Sequence, residues 1–377
     1  SWILIEGKIR KLMRSPRMNR AARALENRPA WGPIARNVAE TALHQRWHIS
    51  GTNMAENHTS KVVSLLFTPT GTCMRHRRTF FLSCAAVVIS ACSPKDAEVP
   101  TAPLGSTADG VACSINSSSF NSSPKVNATS TVKWTCTSTT RTMTGNGIPD
   151  HPVTTGNFAT PISAQTLTIS FRFVPALGTA AVTTGNPGYA LNSVKFDPGT
   201  AGTCAANATS TAPGGGCVAN MGTDPWRLEA IGGAFQFGTD ESNAHVQPNG
   251  QYHYHGLPEA YLAKLNKGQA MTLVGFAVDG FPIYARYGYV AATNASSGIK
   301  AVTSSYRLRA TPSTGRPSVT IFPMGTFTQD YEYAAGSGDL DECNGRTGVT
   351  PEYPAGIYHY YITSTYPYVQ RCVKGTV

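Results

Sequence analysis

From residue 140 onward, short apolar runs alternate with clusters of Gly, Pro, Asn and Asp at intervals of about ten residues. The runs at 167–174, 271–278, 305–309, 318–322 and 357–363 have the length and β-branched or aromatic character of strands. Only 258–265 has helical spacing, and it is short. Turn punctuation this dense, with almost no sustained 3.6-residue period, predicts a mostly β protein: an antiparallel β-sandwich-like domain with few short helices. Upstream, residues 111–140 are rich in Ser, Thr and Asn, yet the segment 131–137 (Thr-Val-Lys-Trp-Thr-Cys-Thr) has the β-branched and aromatic character of a strand. A small hairpin region is expected there, followed by the main domain at 141–377.

Charge divides the chain unevenly. Residues 1–91 hold 14 Lys/Arg and 4 Asp/Glu, whereas residues 92–377 hold 17 of each. The formal net charge of +10 belongs to the first quarter, so the basic pI gives no support for a nucleic-acid partner of the main domain.

That first quarter contains an export pattern. Met74 is followed by Arg75-His76-Arg77-Arg78, an apolar run from Phe80 to Ile89 broken only by Ser83 and Cys84, and then Ser90-Ala91-Cys92. A basic start, about ten apolar residues and small residues at the end make a secretory signal over 74–91, too short to span a bilayer. Ile89-Ser90-Ala91-Cys92 resembles the bacterial lipobox, which implies acylation of Cys92 and a membrane partner through the lipid anchor; Ser93 favours the outer membrane. Residues 1–73 then read as an extension upstream of a start at Met74, and 92–110, rich in Pro, Ala and Ser, as a flexible tether. The expected location is periplasmic or cell-surface.

Six cysteines remain in the exported part: Cys113, Cys136, Cys204, Cys217, Cys343 and Cys372. In an oxidising compartment six cysteines suggest three disulfides. Fifteen pairings are open in principle, and the grouping along the chain favours Cys113 with Cys136, Cys204 with Cys217, and Cys343 with Cys372.

The chemistry concentrates in histidine. Beyond residue 92 there are His151, His245, His253, His255 and His359 alone, mostly in segments rich in Gly, Pro and Tyr. In Tyr252-His253-Tyr254-His255 a strand would send both imidazoles to one face and both phenols to the other. His245 lies across a Pro248-Asn249-Gly250 turn that can fold it back beside them. Three or four imidazoles, His359 being the fourth, form a ligand set suited to Zn or Cu rather than Mg or Ca. The plainer alternative is that these histidines brace the core by hydrogen bonds.

Three segments in order, Asn243–Pro258 with its Tyr-His-Tyr-His centre, Gly275–Tyr284, and Asp339–Arg346 continuing through Gly356–Tyr361, resemble the YHYH domain family of secreted bacterial proteins. The resemblance runs from about Gly145 to Gly375 and implies a compartment but no reaction. One departure is Ala285-Arg286 directly after Tyr284, where the resemblance leads one to expect a glycine and a turn beside the site could differ.

The leading functional expectation is transition-metal binding by an exported, lipid-anchored domain with an extracellular or periplasmic ligand. Asp279, Asp339, Asp341 and Glu342 are candidate partners of the imidazoles, and Tyr252, Tyr254, Asp279, Tyr284, Asp341 and Tyr358 are pocket candidates. A second expectation is a metal-dependent hydrolase or oxidase with Asp279 or Glu342 as base. A third is a polysaccharide- or protein-binding module that uses the tyrosines, all 16 of which lie at or beyond Tyr189. No nucleophile elbow, HExxH, P-loop or dinucleotide fingerprint is present, and no organic cofactor is indicated.

Overall fold

The structure is a computed structural model that describes residues 112–233 and 235–377. The expected signal segment 74–91, the acylation site Cys92, the upstream stretch 1–73 and the tether 92–110 lie outside the described residues.

The described chain opens with a four-stranded antiparallel sheet in sequential order: β1 (Asn116–Asn121), β2 (Ala128–Cys136), β3 (Thr140–Gly145) and β4 (Leu167–Arg172). β5 (Leu177–Thr183) follows. β6 (Gly188–Ala190) and β7 (Lys195–Phe196) enter a larger sheet, while β8 (Thr203–Cys204), β9 (Cys217–Val218) and β10 (Trp226–Arg227) form a small one. β11 (Ala244–Val246) and β12 (Tyr252–Tyr254) make the hairpin that carries the histidine motif, and helix α1 (Glu259–Leu265) comes next. β13 (Thr272–Ala277) and β14 (Pro282–Ala285) precede two ribbons, β15 (Tyr287–Tyr289) with β16 (Ile299–Ala301), and β17 (Tyr306–Leu308) with β18 (Tyr331–Tyr333). β19 (Gly345–Gly348), β20 (Ile357–Ile362) and β21 (Cys372–Gly375) come last, β21 pairing with β5.

The principal sheet has eight strands in the order β11-β12-β7-β6-β13-β14-β20-β19. Two neighbouring pairs, β12 with β7 and β14 with β20, are parallel, and the others are antiparallel. Thr-Leu-Val-Gly-Phe-Ala of β13 is buried at every position because it is an inner strand covered on both faces. In β2, by contrast, Ser130, Val132 and Trp134 face inward while Thr129, Lys133 and Thr135 face solvent, the period-2 alternation of a sheet with one wet side.

That inner face packs on the principal sheet, which gives the two-layer arrangement expected. Trp134, 1% exposed, stacks on Phe171 and tilts against Phe276, and its Nε1–H donates to the Leu191 carbonyl at 2.9 Å. An aromatic buried with its polar atom satisfied contributes roughly 1.5–3 kcal/mol or more and fixes the spacing of the two layers.

All three cysteine pairs form as their grouping suggested: Cys113–Cys136, Cys204–Cys217 and Cys343–Cys372. The β1–β2 hairpin does not stop at residue 140, however, since β2 pairs with β3 and β3 with β4 in one continuous sheet across that boundary.

One expected strand is absent. Residues 318–322 form a turn in which the Phe322 N–H donates to the Ser318 carbonyl at 2.9 Å, and the Ser318 hydroxyl accepts from the Thr320 N–H. Pro317 and Pro323 bracket the segment, and only Phe322 is buried while Val319 and Ile321 face solvent, so no apolar face exists for a sheet to cover.

Arg286 adopts a left-handed φ of 60°, the conformation in which glycine is favoured. Its guanidinium pairs with Glu259, and its backbone N–H donates to the Ile362 carbonyl at 2.9 Å.

Candidate metal centre

The hairpin β11–β12 sets the site. Its register pairs Ala244 with Tyr254, His245 with His253 and Val246 with Tyr252, so His245 and His253 stand side by side across the strands. The turn that enforces this register closes with the Gly250 N–H donating to the Gln247 carbonyl at 2.8 Å. Gly250 has φ +84° and touches Ser163, so a Cβ there would be both strained and in collision. His255, one residue past β12, donates its N–H to the Asn243 carbonyl at 2.8 Å, which extends the ladder and keeps the ring on the face of its neighbours.

The result is a triangle of imidazoles. Ring centroids lie 4.7 Å apart for His245 and His253, 4.6 Å for His245 and His255, and 4.7 Å for His253 and His255. One ring nitrogen from each falls within 4.8 Å of the other two.

Backbone carbonyls select the tautomers of two rings. His245 Nδ1–H donates to the Phe237 carbonyl at 2.8 Å and His253 Nδ1–H to that of Gln251 at 3.0 Å, so in each the Nε2 carries the lone pair. His255 Nε2 lies 2.9 Å from His245 Nε2, and with the His245 proton on Nδ1 this bond is donated by His255. His255 Nδ1 makes no hydrogen bond of normal geometry among the described residues, although the Asp197 backbone favours a proton on this ring.

Burial is the main influence on all three basicities. It lowers that of His245, takes His253 down to about 4 with help from His245, and lowers His255 well below the usual imidazole range, His253 and His245 adding to the effect. The rings are therefore neutral near pH 7, the form that binds metal.

The phenols of the motif do different work on the opposite face. Tyr252 donates to Asp240, whose carboxyl burial pushes up to about 6. His151 Nδ1–H donates to the Pro152 carbonyl at 2.9 Å, which leaves its Nε2 to accept from Tyr254 Oη at 2.7 Å; Asn192 Nδ2 donates to the same phenol at 3.1 Å. Both tyrosines are fully buried in the principal core with Phe196, Leu257 and Tyr261.

On the imidazole side lies a cleft of about 1010 Å³, lined among others by His245, His253, Asp197, Arg227, Phe237 and Arg371. Asp197 is the ionisable residue of this cleft whose charge acts on both His245 and His253, and it is held by Lys195 Nζ at 2.9 Å and Gln247 Nε2 at 3.1 Å. It was not among the expected site residues. It follows β7, the parallel neighbour of β12, and Val-Lys-Phe-Asp-Pro reads locally as any strand end. Arg227 and Arg371 were missed for the same reason.

Other expected residues lie elsewhere. His359 is not part of the cluster: four strands separate β20 from β12, roughly 24 Å along the sheet. Its Nδ1–H donates to the Ile357 carbonyl at 2.9 Å, its Nε2 accepts from Tyr361 Oη at 3.1 Å, and burial takes its basicity down to about 4. It is a core-bracing histidine.

Asp279 is buried beside the C-terminal segment, accepting from Tyr360 Oη at 2.6 Å, Gly375 N–H at 2.9 Å and Phe281 N–H at 3.2 Å. Glu342 pairs with Lys374 at 2.7 Å, and Asp339 with Lys300 at 2.5 Å. Neither expected base, Asp279 or Glu342, lines the imidazole cleft. Tyr284 donates to Glu352 at 2.7 Å, and its oxygen shares a 2.8 Å hydrogen bond with the Thr350 hydroxyl. Tyr358 donates to Asp341 at 2.9 Å, and both line a separate, shallower cleft of about 490 Å³.

The family model for the YHYH protein matches residues 167–375. No curated protein and no solved structure matches the chain. The matched region runs from β4 through β21 and takes in the imidazole triangle, its hairpin and the cleft lining other than residues 157–160. The chain belongs to the YHYH protein family.

Proposed function

We propose that this protein is an exported transition-metal-binding protein that holds Zn(II) or Cu(II) on the Nε2 atoms of His245, His253 and His255, with one coordination position open to the cleft. The observation that carries this reading is the convergence of three neutral imidazoles, two with Nδ1 clamped to backbone carbonyls so that Nε2 points inward. Clamping of this kind orients a ligating histidine and fixes its tautomer. A tetrahedral ion about 2.0–2.1 Å from each nitrogen sets neighbouring nitrogens roughly 3.3 Å apart, so the 2.9 Å pair needs only a slight opening.

Elemental analysis of the purified protein beside the His253→Ala/His255→Ala double variant tests the reading. One equivalent of Zn or Cu in the wild type and none in the variant is expected. A metal-free wild type of unchanged stability after metal exposure overturns it.

A second reading, metal-dependent hydrolysis or oxidation, draws support from the cleft itself, because sites with three protein ligands and an open position are the catalytic kind. When bound, the ion would supply Lewis acidity or redox chemistry. Asp197 would take the proton-handling role earlier expected of Asp279 or Glu342, being the carboxylate on the cleft wall.

Three disulfides accord with an oxidising compartment. Attachment to the outer membrane through an acylated Cys92 is the further part of this proposal. It rests on Ile89-Ser90-Ala91-Cys92, and Cys92→Ala should abolish incorporation of a labelled fatty acid.

A further inference from the structure

The ionisable side chains of the imidazole cleft do not balance. Besides the imidazoles, its charged lining consists of Asp197, Arg227 and Arg371. Asp197 already faces Lys195 at 2.9 Å. Arg371 is matched by Glu229, almost fully buried behind it, through two contacts from one Nη2 at 2.7 and 2.8 Å. Arg227 forms no ion pair among the described residues. Its Nη1 donates to the Thr200 carbonyl at 2.7 Å, which orients the guanidinium without neutralising it. Three neutral imidazoles likewise leave the whole charge of a divalent ion uncompensated, since neutral ligands supply no anion.

The cleft also has an apolar wall. Phe235 and Phe237 both line it, with centroids 4.5 Å apart, and the Phe237 carbonyl accepts from His245 Nδ1. The aromatic wall and the imidazoles are thus built from adjoining backbone. A volume of about 1010 Å³ suits a small molecule or one end of a chain.

From this arrangement we infer that the cleft binds an oxyanion-bearing ligand, a carboxylate or a phosphate ester, with the anionic group between the metal position and Arg227 and the carbon skeleton against Phe235 and Phe237. The inference deepens the metal-binding proposal and rests on it for part of the charge, while Arg227 contributes independently of any ion. Guanidinium suits both anions because its fork of N–H donors matches two oxygens at once.

Isothermal titration of the full chain with benzoate, phenyl phosphate and the neutral comparator benzamide tests this, run on zinc-loaded and chelator-treated protein. Arg227→Ala and Arg227→Lys are titrated in parallel with metal content measured in each. Arg227 is exposed, so its removal leaves no buried partner unpaired, unlike loss of Arg371 beside Glu229. At least one anion is expected to bind zinc-loaded wild type ten or more times tighter than benzamide. Arg227→Ala should remove about tenfold of that preference and Arg227→Lys should recover part of it; the ratio of the two anions identifies the ligand class. Equal binding of benzamide and both anions, or an unchanged preference in Arg227→Ala that still holds zinc, overturns the inference. If the wild type takes up no metal, the metal reading fails, and an Arg227-dependent anion preference in that protein still upholds the anion site.

Discussion

His245 on β11 stands directly opposite His253 on β12, ring centroids 4.7 Å apart, each with its Nδ1–H held by a backbone carbonyl. That pairing makes the two imidazoles one unit and directs both Nε2 lone pairs to a common point. His255 then closes the triangle.

Chelation should therefore change stability only where the triangle is intact. An ion at about a hundred times its Kd stabilises the folded state by ~2.7 kcal/mol. Thermal unfolding with and without chelator is expected to show a shift of this order in the wild type and none in His253→Ala/His255→Ala.

The motif's tyrosines should separate from its histidines by mutation. Tyr254→Phe removes the hydroxyl that donates to His151 and accepts from Asn192, leaving buried polar groups short of a partner. A loss of about 1–3 kcal/mol in denaturant unfolding is expected with metal content unchanged. Loss of metal without loss of stability would reverse the assignment of the two faces.

His359 should make the fold acid-sensitive. Burial holds its basicity at about 4, below the ordinary value of 6.5. The unfolded chain therefore binds a proton between pH 6.5 and 4 that the native ring refuses. Stability is retained above pH 6.5 and falls as the pH drops, by up to ~1.4 kcal/mol per pH unit from this residue. Asp240, raised to about 6 by burial, acts with the opposite sign, contributing stability at low pH that is lost as the pH rises. The difference between wild type and His359→Gln isolates the histidine: the wild type should lose stability on acidification more steeply than the variant.

Trp134 should be the most sensitive position between the two layers. Trp134→Ala removes its stack on Phe171, its contact with Phe276 and its bond to Leu191, and a loss of about 3–5 kcal/mol is expected. Denaturant midpoints measured with disulfides intact check the figure, and a loss below 1 kcal/mol would remove Trp134 from that role.

What could be read along the chain was whatever a short stretch of backbone dictates. Alternation in Tyr252-His253-Tyr254-His255 separates imidazoles from phenols because side chains in any strand alternate faces. The Pro248-Asn249-Gly250 turn brings His245 back because only a few residues separate the paired strands. The three cysteine pairs follow from the same proximity along the chain.

Strand neighbours distant in sequence were decided by the tertiary structure alone. Parallel pairing of β12 with β7 delivers Asp197 to the imidazoles, and the cleft gathers Arg227 and Arg371 from segments far apart. The same sheet order carries His359 and Asp279 away, although Gly356-Ile357-Tyr358-His359 and Val278-Asp279-Gly280 look as suited to a site as the hairpin does. Strand order arises from hydrogen bonds and packing between whole sheet layers, and a local pattern of residues contains no term for which strand its neighbour will be.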